Sequence, residues 1–251
     1  VVTGGVGSGP SDVTSSIEII DLDDRSVVEA DARLNKARAE HEAVLMGDGT
    51  QAIWVLGGRN NTEGALAATE MLHLRGTEVT SEEGRPPMNT PRYEMGVARI
   101  SGKIVVVCGG YTSVDGSGAP TRRCQIGNMD QDKWAASWDM GEPRGGLALV
   151  EMSQSDDLVV IGGKNLDSET VDTASVFSFR GASARPPYTL QEDQGTMYKR
   201  RYGATVTPMS SGLILLTGGM GPIKGNKAPL PSLEYYNPAD VVRARPSEMA
   251  Q

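Results

Sequence analysis

The side chains in this chain that could do chemistry are few and widely spaced. Histidine occurs only at His41 and His73, and two histidines are too few for a metal site unless the fold supplies carboxylates. The acidic pairs Glu82–Glu83 and Asp156–Asp157 stand in turn-like sequence, which is typical of solvated loop charge. No Ser-His-Asp order or paired-carboxylate motif stands out. The sequence therefore predicts no cofactor, no metal and no catalytic centre.

A glycine-rich segment at residues 4–9 follows a short apolar run, as a phosphate-binding loop would. Its spacing does not fit G-x-G-x-x-G, and no amphipathic helix follows it. The same glycine pair also recurs four more times along the chain. These glycines are therefore better explained by a structural repeat than by a nucleotide site.

The only cysteines, Cys108 and Cys124, flank a loop whose midpoint is Gly116. A symmetric hairpin would place them opposite each other, close enough to form a disulfide. The alternative is two reduced, partly buried thiols, which we expect because no other feature indicates an oxidising compartment. The sequence does not identify the compartment, and the cytoplasm is slightly favoured.

Charge and hydropathy exclude two classes of partner. The net charge is -8, and an acidic surface repels phosphate backbones, so nucleic acid is not predicted as a partner. The longest apolar runs, such as residues 104–108, are too short to cross a bilayer, so membrane insertion is not predicted. The composition, with Gly 31 and Phe 2, suits many short strands joined by turns.

The elements that must position any site repeat along the chain. Five apolar runs end in a glycine pair, with a step of about fifty residues between them. After each pair comes a shorter run in which apolar and polar residues partly alternate. A more polar run then leads to an arginine before the next pair. The pattern predicts an all-β propeller of four-stranded antiparallel blades in a single domain, residues 1–251. The glycine runs lie at residues 1–5, 53–58, 104–110, 158–163 and 213–219, and the arginines are Arg38, Arg92, Arg144 and Arg201.

These markers resemble those of the kelch repeat family. The resemblance consists of the apolar strand ending in Gly-Gly, the later run exemplified by residues 233–237, and a Met-x-x-Pro-Arg spacer at residues 88–92 and 140–144. It covers essentially the whole chain, although the tryptophan of the family's fourth strand is clear only at Trp134. Kelch propellers commonly have six or seven blades, and five are visible here. We expect further chain to complete the ring, because residues 247–251 stop where another first strand should begin; the alternative is a five-bladed ring with an imperfect seam.

The repeated arginines have two explanations. Each could bind neighbouring carbonyls or an acidic residue of the adjacent blade, which would repeat one joint around the ring. Each could instead contact a partner directly. We favour the structural explanation for the repeated set.

The resemblance implies protein binding through the face that carries the long loops, where function usually resides on a rigid scaffold. We therefore predict a non-catalytic protein–protein interaction scaffold that binds a protein partner, favouring an acidic segment because the site gathers positive charge on an acidic chain. The alternative is a carbohydrate-active enzyme, sugar epimerase-like or oxidase-like, with a loop-borne site; the copper-radical oxidases would need two His and two Tyr, one Tyr linked to a Cys, and no credible set is present. The predicted partner-binding residues are Arg59, Asn60, Tyr111, Lys164, Asn165, Tyr198, Lys199, Arg201 and Tyr202.

Overall fold

The computed structural model describes residues 1–9, 12–47, 49, 51–82, 85–101, 103–113, 118–128, 133–152, 157–178, 192–223 and 226–238. These residues form five antiparallel blades of a β-propeller, with essentially no helix. The predicted all-β propeller with mostly four-stranded blades is therefore confirmed. The place predicted for a further first strand, residues 247–251, lies outside the described residues. No helix of the described chain is long and apolar enough to cross a membrane.

The strands follow one another in chain order within each blade. Blade 1 contains β1 (Val2–Thr3), β2 (Ile17–Ile20) and β3 (Val27–Glu29). Blade 2 contains β4 (Glu42–Leu45), β5 (Ala52–Leu56), the short hairpin β6 (Arg59–Asn60) and β7 (Gly64–Ala65), then β8 (Thr69–Arg75) and β9 (Glu78–Glu82). Blade 3 contains β10 (Gly96–Ser101), β11 (Ile104–Cys108), β12 (Arg123–Asn128) and β13 (Lys133–Asp139). Blade 4 contains β14 (Ala148–Met152), β15 (Asp157–Ile161), β16 (Thr173–Ser178) and β17 (Glu192–Thr196). Blade 5 contains β18 (Thr205–Pro208), β19 (Ile214–Thr217), the hairpin β20 (Met220–Ile223) and β21 (Asn226–Pro229), and β22 (Leu233–Tyr236).

The hydrophobic core lies between successive blades. Strands β11 and β15 are buried along nearly their whole length because sheets cover both of their faces. Between blades 2 and 3, the rings of Trp54 and Trp134 pack with their centroids 5.4 Å apart. Gly127 leaves room for them, since a Cβ there would stand 2.7 Å from Trp54. The stacked blades thus form a rigid support for the loops at the end of the channel.

The glycine pairs are required by close backbone approach. Gly57 and Gly58 have φ values of 57° and 93°, a conformation that side chains disfavour. A Cβ on Gly57 would also lie 2.5 Å from the carbonyl oxygen of Arg92, which enters the next blade. Gly109 and Gly162 meet the carbonyls of the following arginines in the same way, at 2.5 and 2.3 Å. The glycine repeat therefore marks the joints between blades.

The repeated arginines are the other half of those joints. The carbonyl oxygen of Arg38 accepts a hydrogen bond of 2.8 Å from the N–H of Gly5 in blade 1. The side chain of Arg38 donates from Nη1 to the carbonyl oxygen of Gly57 in blade 2, at 2.7 Å. The structural explanation of these residues is confirmed. The acidic partner lies in the blade that the arginine enters, as in the 2.6 Å ion pair of Arg38 with Glu70. The equivalent residues Arg92, Arg144 and Arg201 are likewise buried and bonded to Gly109, Gly162 and Gly218.

The cysteines form a disulfide, so the expectation of reduced thiols was wrong. Cys108 on β11 and Cys124 on β12 are register partners, as a symmetric hairpin predicts, with Cα atoms 4.1 Å apart. Both are fully buried, and the predicted loop midpoint, Gly116, lies outside the described residues. The register of the two strands brings the two sulfur atoms within bonding distance. The expectation of thiols rested only on the lack of any other sequence feature that indicates an oxidising compartment. The disulfide also weakens the case for the cytoplasm, where thiols are normally kept reduced.

Candidate functional site

The residues that follow the glycine pairs occupy equivalent positions at one end of the central channel. In blades 2 to 5, each forms an antiparallel bridge with the residue that follows the repeated arginine of the same blade, whereas Val6 of blade 1 bridges Val13. The structure brings Arg59, Tyr111 and Lys164 together around one cavity of about 520 Å³, here called the mouth cavity. The bridged pairs are Ala39 with Arg59, Tyr93 with Tyr111, Gly145 with Lys164, and Tyr202 with Met220. The mouth cavity is lined by Glu40, Arg59, Tyr93, Glu94, Tyr111, Gly118, Lys164, Ser168 and Lys227.

Cations rest on aromatic rings across the blade boundaries of this cavity. Arg59 of blade 2 lies over the ring of Tyr93 in blade 3, with 5.3 Å between its Cζ and the ring centroid. Lys164 of blade 4 lies over the ring of Tyr202 in blade 5, with its Nζ 3.6 Å from the centroid. Between them, the rings of Tyr93 and Tyr111 stack at 5.5 Å. Two cations of the cavity wall therefore each lie over an aromatic ring of the following blade.

The two carboxyl groups of the mouth cavity differ in their partners. Glu40 forms an ion pair with Arg59, whose Nη2 donates to Oε1 at 2.7 Å. This hydrogen bond and the charge of Glu40 raise the pKa of Arg59, so it stays charged. Glu94 and Lys164 form no salt bridge with the residues that the structure describes. Burial first, and then the charge of Glu40, raise the pKa of Glu94, against the opposing charges of Lys164 and Arg59.

The same two glutamates occupy an unusual backbone conformation. Glu40 and Glu94 have φ values of 55° and 49°, and the equivalent residues of blades 4 and 5 are glycines, Gly146 and Gly203. Backbone hydrogen bonds link these four positions from blade to blade. In each, the N–H of one residue donates to the backbone carbonyl of its equivalent in the preceding blade: Glu94 to Glu40, Gly146 to Glu94, and Gly203 to Gly146. Residues other than glycine hold this conformation at a cost, and such residues cluster at functional sites.

The phenol of Tyr111 is a neutral hydrogen-bonding group in this cavity. Burial first, and then the charge of Glu94, raise the pKa of Tyr111 to about 12. Its ring lies over Gly145, where a Cβ would stand 2.1 Å from the ring. The ring therefore fills the space above Gly145 and forms one wall of the cavity.

A second cavity of about 330 Å³ continues down the channel and shares Glu40 and Glu94 with the mouth cavity. It is also lined by His41 and Glu42. Burial, and then the charge of Arg38, lower the pKa of His41 to about 4, while burial raises the pKa of Glu42 to about 7. No group of three or more His, Cys, Asp or Glu that could hold a metal occurs among the described residues.

Several predicted binding residues lie elsewhere or have structural roles. Arg201 is only 1% exposed and bonds to Gly218 and Glu234, so it is a joint residue rather than a contact for a partner. Asn60 accepts hydrogen bonds from the N–H groups of Thr62 and Glu63. Asn165 accepts two in the same way, from Asp167 and Glu169. Both asparagines thus shape the loops that follow Arg59 and Lys164.

The predicted cluster at residues 198–202 is divided by the fold. Tyr202 lies at the channel, where its ring forms a cation–π contact with Lys164. Tyr198 is 89% exposed, and Lys199 is exposed as well, but neither lines the mouth cavity. The neighbouring Arg200 is paired with Asp172 at 3.2 Å. The cluster is therefore not one surface, and only Tyr202 contacts a residue of the mouth cavity, Lys164, while itself lining the second cavity.

Sequence reasoning missed six residues that line the mouth cavity, Gly118 and Ser168 among them, although three of the six carried a signal. Tyr93, Glu40 and Glu94 stand one or two places after a repeated arginine, and alignment of the repeats on the arginines would have placed them beside the residues after the glycine pairs. Lys227 lies on the hairpin inserted in blade 5, where no repeat marks its position.

Comparison with known proteins shows the fold and no family. No protein-family model matches the chain, and no curated protein matches it. Solved structures do match, among them a structure of YjhT, with a TM-score of 0.69 and 13% sequence identity over 95% of this chain and 78% of that chain. At this identity the match shows a β-propeller and says nothing of a ligand. The kelch repeat assignment therefore stays a prediction.

Proposed function

We propose that the chain is a binding module whose partner inserts an acidic segment into the mouth cavity. Lys164 is the observation that carries the proposal. Its ammonium lies 3.6 Å from the centroid of the Tyr202 ring, lines the cavity and forms no salt bridge with any described residue. A cation held against an aromatic ring without a counter-ion is pre-positioned for a carboxylate.

The other charges of the cavity support an anionic partner. Arg59, Lys164 and Lys227 supply three positive charges, and Glu40 and Glu94 are the two acidic groups. Glu40 forms an ion pair with Arg59, and burial raises the pKa of Glu94. On a chain of net charge -8, this is a locally positive position, and such positions attract anionic partners.

The aromatic walls suit recognition of an inserted side chain. Tyr93 and Tyr111 are stacked on each other, so little rotamer freedom remains to be lost on binding. The volume of about 520 Å³ falls within the range of about 300 to 1,000 Å³ that is common for ligand pockets. We infer that one acidic side chain enters the cavity while the long loops contact the flanking residues.

Isothermal titration calorimetry with a capped tetra-aspartate peptide tests this function. We expect Lys164→Gln to weaken binding by about tenfold to hundredfold, the worth of a charged hydrogen bond. Lys133→Gln is the matched control, because Lys133 is an exposed lysine on outer strand β13. No binding by the native protein, or equal affinities for native protein and Lys164→Gln, would reject the proposal.

A carbohydrate-active enzyme is the second candidate, and Glu94 is the observation that favours it. A carboxyl group with a raised pKa in a cavity beside a neutral phenol, Tyr111, has the character of a general acid–base. Proton NMR of reducing sugars incubated with the protein distinguishes the candidates. If the native protein converts a sugar and Glu94→Gln does not, the result supports the enzyme. Peptide binding without conversion of any sugar supports the binding module.

A further inference from the structure

A carboxyl group lies in a cavity that we assign to an acidic ligand, and its position needs an explanation. Glu94 Oε2 lies 3.3 Å from the place where a Cβ on Gly146 would stand, and that place is 3.4 Å from Cδ2 of Tyr202. Glu94 Oε2 and the ring of Tyr202, over which Lys164 lies, therefore both approach Gly146 of blade 4. Glu94 and Lys164 both line the mouth cavity, so a carboxylate that binds Lys164 there enters the cavity that contains Glu94.

Resting on the proposed function, we infer that Glu94 contacts the bound acidic segment as a protonated carboxyl group that donates a hydrogen bond to a carboxylate of the segment. Two ionised carboxylates in one cavity repel each other, whereas one proton shared between them replaces the repulsion with a hydrogen bond. Hydrogen bonds from O–H to a carboxylate are short and strong. Lys164 then neutralises the remaining charge.

The backbone indicates that the Glu94 side chain has a role of its own. Its φ of 49° is a conformation for which blades 4 and 5 use Gly146 and Gly203. Retaining a side chain in this conformation destabilises the backbone locally. Glu40, in the same conformation, has its partner in Arg59. Glu94 has no salt-bridge partner in the described chain, so its carboxyl group is available to a ligand.

The groups that face Glu94 determine how a pH experiment must be controlled. They are Glu40, Arg59, His41 and Glu42 from blade 2, Tyr93 and Tyr111 from blade 3, Lys164 from blade 4, and Tyr202 and Lys227 from blade 5.

Between about pH 5 and about pH 8 most of these groups keep one protonation state. His41, with a pKa of about 4, stays neutral, and Tyr111, with a pKa of about 12, stays protonated. Glu42, with a pKa of about 7, titrates in this window and must be controlled. The pKa of Glu94 is raised above 4.5, so its protonated form is gained as pH falls. Affinity is therefore expected to rise on acidification and to fall as pH rises through the pKa of Glu94.

Titration of the intact protein with capped tetra-aspartate between about pH 5 and about pH 8, in two buffers of different ionisation enthalpy, tests the inference. We expect affinity to fall by up to about tenfold per pH unit above the pKa of Glu94, with proton uptake on binding. In Glu94→Gln, the amide donates to the ligand at every pH, so binding persists at about pH 8 and its pH dependence disappears. In Glu42→Gln, the native pH dependence remains.

Two variants protect the experiment against a folding defect. Glu94→Gly suits the positive φ, is expected to fold at least as well as the native protein, and also loses the pH dependence. Binding by the native protein without pH dependence, or a pH dependence that persists in both Glu94 variants, overturns the inference and leaves the proposed function standing. Absence of binding at every pH rejects both.

Discussion

The guanidinium Nη1 of Arg92 donates a hydrogen bond of 3.0 Å to the carbonyl oxygen of Gly109. The carbonyl of the same arginine accepts a hydrogen bond of 2.9 Å from the N–H of Gly58, in the preceding blade. One residue therefore ties blade 2 to blade 3, and Arg38, Arg144 and Arg201 repeat this joint. The sequence repeat and the cohesion of the propeller have the same physical cause.

The joint predicts that Arg92→Lys destabilises the protein. Lysine keeps the charge but loses the planar fork that reaches the carbonyls of Gly109 and Arg123 together. We expect the free energy of unfolding, measured in urea, to fall by about 2 to 4 kcal/mol. Arg123→Lys is the control, because its side chain is 57% exposed and should change stability little. An equal fall in the free energy of unfolding of the two variants would contradict the role of Arg92 in joining the blades.

Among the residues of blade 3 that the structure describes, none is an acidic partner like the one that completes the joint in blade 2. Arg92 Nη2 and Gln125 Nε2 are buried without hydrogen-bond partners, and burial lowers the pKa of Arg92 to about 10. In blade 2, the equivalent Glu70 accepts hydrogen bonds from both Arg38 and the N–H of Asn35. A glutamate at position 125 would therefore remove the unpaired Nε2 donor and offer an acceptor to Arg92 Nη2, while keeping an oxygen for the N–H of Asn89.

We therefore expect Gln125→Glu to raise the free energy of unfolding by roughly 1 to 3 kcal/mol. The reciprocal Glu70→Gln removes one partner of a buried ion pair, and we expect it to lower stability by about 3 kcal/mol. Thermal denaturation of the two variants should give shifts of opposite sign. A loss of stability in Gln125→Glu would show that blade 3 satisfies Arg92 in another way.

The disulfide predicts the thiol count and a dependence of stability on reductant. Thiol titration after denaturation without reductant should find no free thiol, because Cys108 and Cys124 are bonded and are the only cysteines. Reduction should lower the free energy of unfolding by roughly 3 kcal/mol, the effect of opening a loop of this size. The variant with both cysteines replaced by alanine should not respond to reductant. Two free thiols in the native protein would exclude the disulfide.

The buried Glu42 predicts that the free energy of unfolding falls as pH rises through about 7. Burial raises the pKa of Glu42 to about 7 in the folded chain from 4.5, so its contribution is fully present below 4.5 and is lost as pH rises through about 7. We expect Glu42→Gln to be more stable than the native protein at about pH 8 and to show a flatter dependence of stability between about pH 5 and about pH 8. Urea denaturation across this range checks it, and unchanged pH dependence would contradict it.

The fold was predictable from the sequence because the same residues create both the repeat and the joints. Gly57 and Arg92 recur in register since a side chain at the glycine would meet the arginine carbonyl at 2.5 Å. The opposition of Cys108 and Cys124 was predictable because they flank one loop symmetrically, whereas their oxidation depends on chemistry that the repeat does not specify. Arg201 was assigned to the partner surface because its local cluster was read without the repeat that buries it.

The site was less predictable because its chemistry lies where the repeats differ. Arg59, Tyr111 and Lys164 follow the glycine pairs, and their shared mouth was predicted from that spacing. The pairing of each cation with an aromatic ring of the next blade depends on contacts across blades, which no local pattern contains. Glu94 stands two residues after Arg92, a position that the repeat marks, but its positive φ appears only in the structure.

A crystal structure of the propeller with capped tetra-aspartate tests the central claim most directly. The account predicts a peptide carboxylate in the mouth cavity, within about 3 Å of Lys164 Nζ and beside Glu94. Lys164→Gln crystals soaked under the same conditions should show no peptide there. Peptide bound at a blade edge or on the outer strands, with the mouth cavity unoccupied in crystals of the native protein, would contradict the account.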